Sequence, residues 1–400
     1  MELVTVAQPS FRVDRPEVLA NPYDLFATMR SEAPVCRLDP IGFWAVSRYE
    51  DVMFVLKNPS LFSSAAYNRS NDDYKNVGGL EEAAPTLVGM DPPRHTKMRA
   101  LIMRAFTPRV VAALEPRIRE ISRDLVNKIA GKGPFDLVND FTIPLPMIVI
   151  AEMLGVEPDR REDFKLWCDE LMTNVAIVKQ PDPAKAFAAA DALSRYFQKI
   201  IEDRRKAPQD DLISMLLAAE LDGEKLSMPE VVAFANLLLI AGNETTTSLI
   251  GNTFYALTEH PEQYATMLSN RARIPEVVEE VLRWLSPAQL ILRLAKEDVT
   301  IAGTTIPKGS IVTPLLASAN RDERRFANGE AFDIDRDTKG HLAFGLDIHF
   351  CLGASLARLE AKVALEELSA LGKLKRSEEI VPWAPSLLMR APLRLGLEQA

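Results

Sequence analysis

Cys351 stands in the segment Phe344-Gly345-Leu346-Asp347-Ile348-His349-Phe350-Cys351-Leu352-Gly353-Ala354, between two glycine-bearing turns and immediately before a helical run, Ser355-Leu356-Ala357-Arg358-Leu359-Glu360. A helix N-terminus offers free N–H groups and the positive end of the macrodipole, which lower a thiol's pKa and stabilise the thiolate. A thiolate so placed predicts an iron ligand. Gly353 leaves room for a large flat group to approach the helix, and Gly345 allows a turn closed to other residues. Two alternatives use the same cysteine. One is a buried structural thiol, in keeping with the usual burial of free cysteine. The other is a zinc ligand acting with His341 or His349, and it is the weaker: Cys36, Cys168 and Cys351 are the only cysteines and form no C-x-x-C pair.

The loop resembles the heme-binding loop of the cytochrome P-450 superfamily, the heme-thiolate monooxygenases, whose usual bacterial form is Phe-Gly-x-Gly-x-His-x-Cys-x-Gly. Asp347 stands where that form has glycine. Either the loop holds a left-handed aspartate, one of the less costly non-glycine choices, or the turn is rearranged. The resemblance implies that Cys351 is the proximal ligand of heme b (iron protoporphyrin IX), with Phe344 and Gly353 beside the cofactor.

Three further constellations fall in the same family order. Ala241-Gly242-Asn243-Glu244-Thr245-Thr246-Thr247 interrupts a long apolar helix that begins near Pro229. Threonine and glycine weaken a helix interior through χ1 restriction, lost backbone entropy and hydroxyl competition for carbonyls. The Thr245 hydroxyl is in reach of the Ala241 carbonyl four residues back, and Gly242 makes that turn easy to widen. The product is a polar notch in a buried helix or, as the alternative, a solvated polar face. It matches the superfamily's Ala-Gly-x-Asp/Glu-Thr motif. That match implies that Ala241 and Gly242 lie against the heme, while Thr245 and Glu244 receive oxygen and relay protons.

Glu280 and Arg283 place opposite charges on one side of a helix, which alone usually means a surface pair of little value. They resemble the superfamily's Glu-x-x-Arg pair, which implies a structural lock completed by an arginine of the later meander, assigned to Arg336. Met90-Asp91-Pro92-Pro93-Arg94-His95 opens a proline-started helix with His95 and Arg99 one turn apart. Two cationic donors on one face suit a pair of carboxylates, and arginine adds bidentate geometry; a solvated face is the alternative. In the superfamily the matching residues bind heme propionates, a role the resemblance extends to Arg293 and His349. His260 and His341 read as structural, and Cys36 and Cys168 as small apolar fillers.

These motifs need a scaffold that brings distant segments together. The 400 residues, 47% hydrophobic and 26% charged, describe an ordinary globular chain. Length alone predicts two or three domains. The motifs interlock along the chain, however, and family members of this size form one unit, so residues 1–400 are expected to form a single domain. A net charge of −9 argues against a nucleic-acid partner. The opening residues lack a signal-peptide pattern, and no run approaches the roughly 20 apolar residues of a membrane span; Leu237 to Ala241 is the longest candidate. Few cysteines then predict a cytoplasmic protein, away from membranes and without disulfides. It is expected to be a monomer.

Val35–Leu38 and Gly42–Val46 read as a hairpin, and helical spacing sets in from about Pro92. Helices are predicted at 113–131, 145–155, 161–176, 183–206, 229–259, 275–285 and 352–371, with a β region from Val299 to Leu316 and an extended end from Val381 to Leu397. The fold class is therefore mainly α with a minor β part. The resemblance implies the triangular, helix-rich fold of the superfamily, with heme between the long oxygen-binding helix and the helix after the cysteine loop.

The same resemblance implies insertion of one oxygen atom from O2 into a hydrophobic small molecule, by hydroxylation or epoxidation. Its alternatives are a peroxide-driven peroxygenase and a heme-binding sensor or carrier. No flavin-binding or iron–sulfur sequence is present, so electrons are expected from a ferredoxin or flavodoxin with its reductase. Arg104, Arg109 and Arg358 are the docking candidates. The substrate pocket is expected to draw on Leu237, Leu238, Gln289, Leu290, Ile291, Leu387, Leu388, Met172 and Val175 and on the loop from Tyr67 to Leu87. Asn174 and Gln289 would be its polar anchors.

Overall fold

The computed structural model describes residues 9–69, 85–157 and 183–400, with 160, 163, 164, 166, 167 and 170 between them. Its central element is a helix whose start is doubly capped. Ser227 Oγ accepts the Glu230 N–H, the Glu230 carboxylate accepts the Ser227 N–H, and Pro229 fits the first turn. The helix runs unbroken from Met228 to Glu259 and stops where His260 precedes Pro261. Helices Pro144–Met153, Pro183–Lys206, Ile274–Trp284 and Ala354–Leu368 pack around it and bury most of its length. Glu115–Ile129 lays an apolar stripe of Ile118, Ile121, Leu125 and Ile129 into the same core and packs on Ala354–Leu368. Arg119 pins the outer edge of that contact to Glu115, Glu366 and Glu367.

A six-stranded sheet flanks the helices, in the order Ser10–Arg12, Val35–Asp39, Phe43–Val46, Ile311–Pro314, Arg293–Ala295, Phe62–Ser63. The expected hairpin pairs Val35 with Val46 and Leu38 with Phe43. At the far edge Phe62–Ser63 runs antiparallel to Arg293–Ala295, which sets Ser63 opposite Leu294 and beside Arg293. The β region after Val299 forms a second hairpin, Val299–Ile301 with Thr304–Ile306, whose turn holds Ala302 and Gly303 at positive φ.

The opening region carries more helix than the alternation of strand and turn predicts. Tyr23–Glu32 and Tyr49–Lys57 both precede the helix Arg94–Ala105. Their first turns are acidic and their last turns basic, which suits the macrodipole, but at this length tertiary packing decides. The helix predicted at 113–131 is Glu115–Ile129, and a separate short helix, Pro108–Ala113, precedes it. Most of the one predicted at 161–176 lies outside the described residues.

Glu280 and Arg283 are fully buried, so they are not the surface pair that spacing alone allows. Arg283 Nε and Nη2 each donate to the Glu280 carboxylate at 2.7 Å, Nη1 donates to the Asn320 and Gly329 carbonyls, and Nη2 also to that of Ala331. All five guanidinium donors are thereby used. Glu280 Oε1 also accepts the Asp333 N–H at 2.8 Å and lies 3.4 Å from Arg336 Nε. Gly329 is obligatory here, because a Cβ would collide with the Arg321 carbonyl. One residue earlier, Glu279 takes two bonds from Arg358 and a contact from His341. Against the burial that raises it, those partners hold the Glu279 carboxyl down to about 2. The helix Ile274–Trp284 thus grips the chain on both sides of Cys351.

Two predictions follow from this packing. Arg283→Ala strands the buried Glu280 carboxylate and should lower unfolding free energy by about 3–5 kcal/mol; a denaturation midpoint equal to the parent's would contradict the buried pair. Glu360, buried on the helix Ala354–Leu368 with Oε2 lacking a partner, has its carboxyl pushed up by burial to about 8. Its folded pKa exceeds its unfolded one, so its contribution is complete below the unfolded value and lost as pH rises through about 8. Glu360→Gln removes that dependence, and its stability relative to the parent should climb by as much as about 4 kcal/mol from pH 4.5 to 8. Parallel stability–pH curves would show that Glu360 does not titrate there.

Candidate functional site

The loop ahead of Ala354–Leu368 closes on itself before it reaches the cysteine. The Gly345 N–H donates to the Leu342 carbonyl at 2.8 Å with Gly345 at φ +68°, and the Cys351 N–H donates to the Phe344 carbonyl at 2.9 Å. Asp347 adopts φ +60°, so of the two expectations for this position the left-handed aspartate is the one that occurs. A 3-10 turn then runs from Asp347 to His349. Gly353 caps the helix, and a Cβ there would meet nothing within 4 Å, which leaves open space beside the cysteine.

Cys351 is exposed to solvent, although protein atoms crowd around it. The helix N-terminus predicts a lowered thiol pKa. In the structure burial pushes the thiol up, and this outweighs the N–H groups of Gly353 and Ala354 and the Arg99 and Arg358 guanidiniums, all of which pull it down. A bound cation would supply the missing stabilisation of the thiolate. Among the described residues no group of three His, Cys, Asp or Glu is set to hold a metal ion, so the zinc alternative finds no ligand set. The buried apolar thiol is Cys36, which burial pushes up to about 12. Cys168 lies outside the described residues.

Four predicted donors converge near this loop. Arg99 Nη2 donates to the Phe350 carbonyl at 2.8 Å. His95, one turn earlier, is buried with neither ring nitrogen partnered, and its ring lies 4.1 Å from that of His349. His349 Nε2 is 2.9 Å from Ser64 Oγ. Arg293 is buried on its strand, with Nη1 on the Leu292 carbonyl. Burial and the charges of Arg293, His95 and Arg99 hold His349 down to about 3, and burial with Arg99 lowers His95. Asp91 opposes this positive field at His95 and Arg293. Orphaned ring nitrogens, surplus positive charge, open space over Gly353 and a thiol in want of a cation fit a flat, anionic, metal-bearing cofactor.

In the long helix Thr245 Oγ1 donates to the Ala241 carbonyl at 2.7 Å, as its spacing predicts, and Ser248 repeats the bond one turn on with the Glu244 carbonyl. Ala241 is exposed and Gly242, Glu244 and Thr245 are half-buried in the middle of an otherwise enclosed helix. The expected widening at Gly242 is absent: the helix keeps its α form through the notch, where Thr247 Oγ1 donates to the Thr142 carbonyl at 2.9 Å.

Of the predicted pocket residues, Leu237, Leu238, Ile291 and Leu388 are half-buried, whereas Gln289, Leu290 and Leu387 are buried. The Gln289 side-chain amide donates to the Leu387 and Ser386 carbonyls, and its main-chain N–H donates to that of Leu388, which joins the two segments. Met172, Asn174, Val175 and residues 70–84 of the predicted loop lie outside the described residues. Among the docking candidates Arg358 is bound by Glu279 and Arg104 by the Glu220 carbonyl, while Arg109 is exposed. His260 stacks on Phe332 away from these groups, and His341 holds Glu279. Sequence reasoning missed Ser63 and Ser64, whose contacts depend on the sheet edge, while Tyr67, at the start of the predicted loop, accepts the Leu292 N–H at 3.1 Å.

The family model described as Cytochrome P-450 matches residues 21–274 and 265–368. The solved structure of cytochrome P-450 CYP109Q5 from Chondromyces apiculatus is 52% identical with a TM-score of 0.90, covering 97% of this chain and 98% of that one. The putative cytochrome P-450 YjiB of Bacillus subtilis is 43% identical over 87% of this chain and 86% of its own length. The vitamin D(3) 25-hydroxylase of Pseudonocardia autotrophica is 41% identical over 88% and 86% respectively. The family model covers most of this chain and these relatives are more than 40% identical along most of it, so this chain belongs to the cytochrome P-450 family and is one of its monooxygenases.

Proposed function

We propose that the chain binds heme b through the Cys351 thiolate and inserts one oxygen atom into a hydrophobic small molecule, by hydroxylation or epoxidation. The observation that carries this reading is the meeting, around one loop, of a desolvated thiol and a cluster of donors short of counter-charge. Cys351 holds the metal, and Arg293, Arg99 and the two histidines serve the cofactor's carboxylates. Bound there, the heme supplies the activation of O2 that directs one oxygen atom into a C–H or C=C bond and the other into water, with two electrons and two protons consumed.

Thr245 already donates its hydroxyl proton to the Ala241 carbonyl, so its oxygen lone pairs are free to accept from a water and hold it in the notch. Glu244, the adjacent residue, is the titratable group that passes a proton to that water. Retention of this acid–alcohol pair favours the oxygenase over a peroxygenase or a heme carrier. The half-buried apolar residues Leu237, Leu238, Ile291 and Leu388 suit a hydrophobic substrate, and the similarity to a vitamin D(3) 25-hydroxylase supports that class. Electrons come from a ferredoxin or flavodoxin with its reductase, with the exposed Arg109 on the docking side. Among the described residues no helix is long and apolar enough to cross a membrane.

Turnover with a surrogate ferredoxin and reductase tests the assignment. Thr245→Ala should keep consuming reductant while releasing peroxide, and product per electron should fall several-fold. Glu244→Gln should instead slow reductant consumption itself by about a hundredfold. A Thr245→Ala protein as well coupled as the parent would remove Thr245 from the relay. Turnover with peroxide alone would identify a peroxygenase, and no turnover over a broad panel of hydrophobic compounds a carrier.

A further inference from the structure

The cationic cluster is fastened to the protein through a carboxylate that lies outside the donor set itself. Asp91 precedes the helix Arg94–Ala105, and its carbonyl accepts the His95 main-chain N–H at 3.0 Å. Its side chain reaches across to the sheet edge, where Oδ2 accepts from the Ser63 hydroxyl at 2.5 Å and Oδ1 from the Ser64 N–H at 2.9 Å. Both serines are buried. The Ser64 hydroxyl in turn sits 2.9 Å from His349 Nε2, and the Met90 carbonyl faces the same ring as an acceptor. Three segments that are remote in sequence therefore meet on Asp91: the edge strand, the start of the helix that carries His95 and Arg99, and the cysteine loop.

His349 is held at Nε2 by the Ser64 hydroxyl, and His95, buried against it, has two nitrogens without a partner and must find one. We propose that Asp91, acting through Ser63 and Ser64, is the positioning residue for the cofactor's carboxylate edge, holding His349 and the helix start that carries His95 in the orientation in which both donate beside Arg99 and Arg293. The proposal rests on the heme reading above. Outer partners of this kind set affinity by holding the donors that touch the ligand in one orientation. Removal of the Asp91 charge also leaves the donor cluster more positive, which favours the reduced cofactor.

The test uses purified, heme-loaded protein and its Asp91→Asn, Ser64→Ala and Ser64→Thr variants. Heme transfer to an excess of apomyoglobin gives the loss rate, and spectroelectrochemistry gives the ferric/ferrous midpoint potential. Asp91→Asn and Ser64→Ala should lose heme about tenfold faster than the parent, with the far-ultraviolet circular dichroism of the heme-loaded protein unchanged. Asp91→Asn should also raise the potential, and Ser64→Thr, which keeps the hydroxyl, should restore the parent rate. Parent-like heme loss in Ser64→Ala overturns the proposal even where Asp91→Asn fails to fold. A parent that takes up no heme overturns the heme reading itself, so the two failures are separate.

Discussion

A guanidinium cannot shed its proton inside a protein, so burial of Arg283 forces every one of its five donors to find an oxygen. Two go to Glu280 and three to the carbonyls of Asn320, Gly329 and Ala331, in a segment with little regular structure of its own. That segment is held in place by the pair, and the cysteine loop is held by the segment. Asn320 Oδ1 accepts the Leu342 N–H at 2.6 Å, and Leu342 accepts from Gly345 at the first turn of the loop. Glu279 adds His341 before the cysteine and Arg358 after it. The position of one sulfur is thus set by two adjacent carboxylates on a helix distant from it in sequence.

The site so formed is unbalanced in two opposite ways. At Cys351 desolvation works against the anion that a metal needs, while around His95 and Arg293 positive charge gathers with Asp91 as a partial counterweight. A metal cation answers the first imbalance and a pair of carboxylates the second, and a metal porphyrin carries both on one rigid frame. The donors come from a helix, a strand and a loop, and in the proposed reading all of them meet the one carboxylate-bearing edge of that group.

Legibility from the sequence followed the range of the interaction. The Thr245 bond to the Ala241 carbonyl depends on a neighbour within a turn and the residues themselves announce it, and the left-handed Asp347 was one of the two expectations its position allowed. The burial of Glu280 and Arg283 was readable only by resemblance, since an i, i+3 pair looks the same on a surface. The helices before residue 92 were missed because their short spans rely on tertiary packing. The direction of the Cys351 shift was misread for a related reason: helix N–H groups are a local feature, and desolvation is set by everything that folds around them. The Asp91 network was out of reach, because only the pairing of Phe62–Ser63 with Arg293–Ala295 brings its serines to it.

A single spectrum decides the central claim that Cys351 is a metal-binding thiolate. The purified protein, reduced under carbon monoxide, should give the long-wavelength Soret band typical of a thiolate-ligated heme, and Cys351→Ser should abolish it. Persistence of that band in the serine variant, or zinc in place of iron in the purified parent, would contradict the claim.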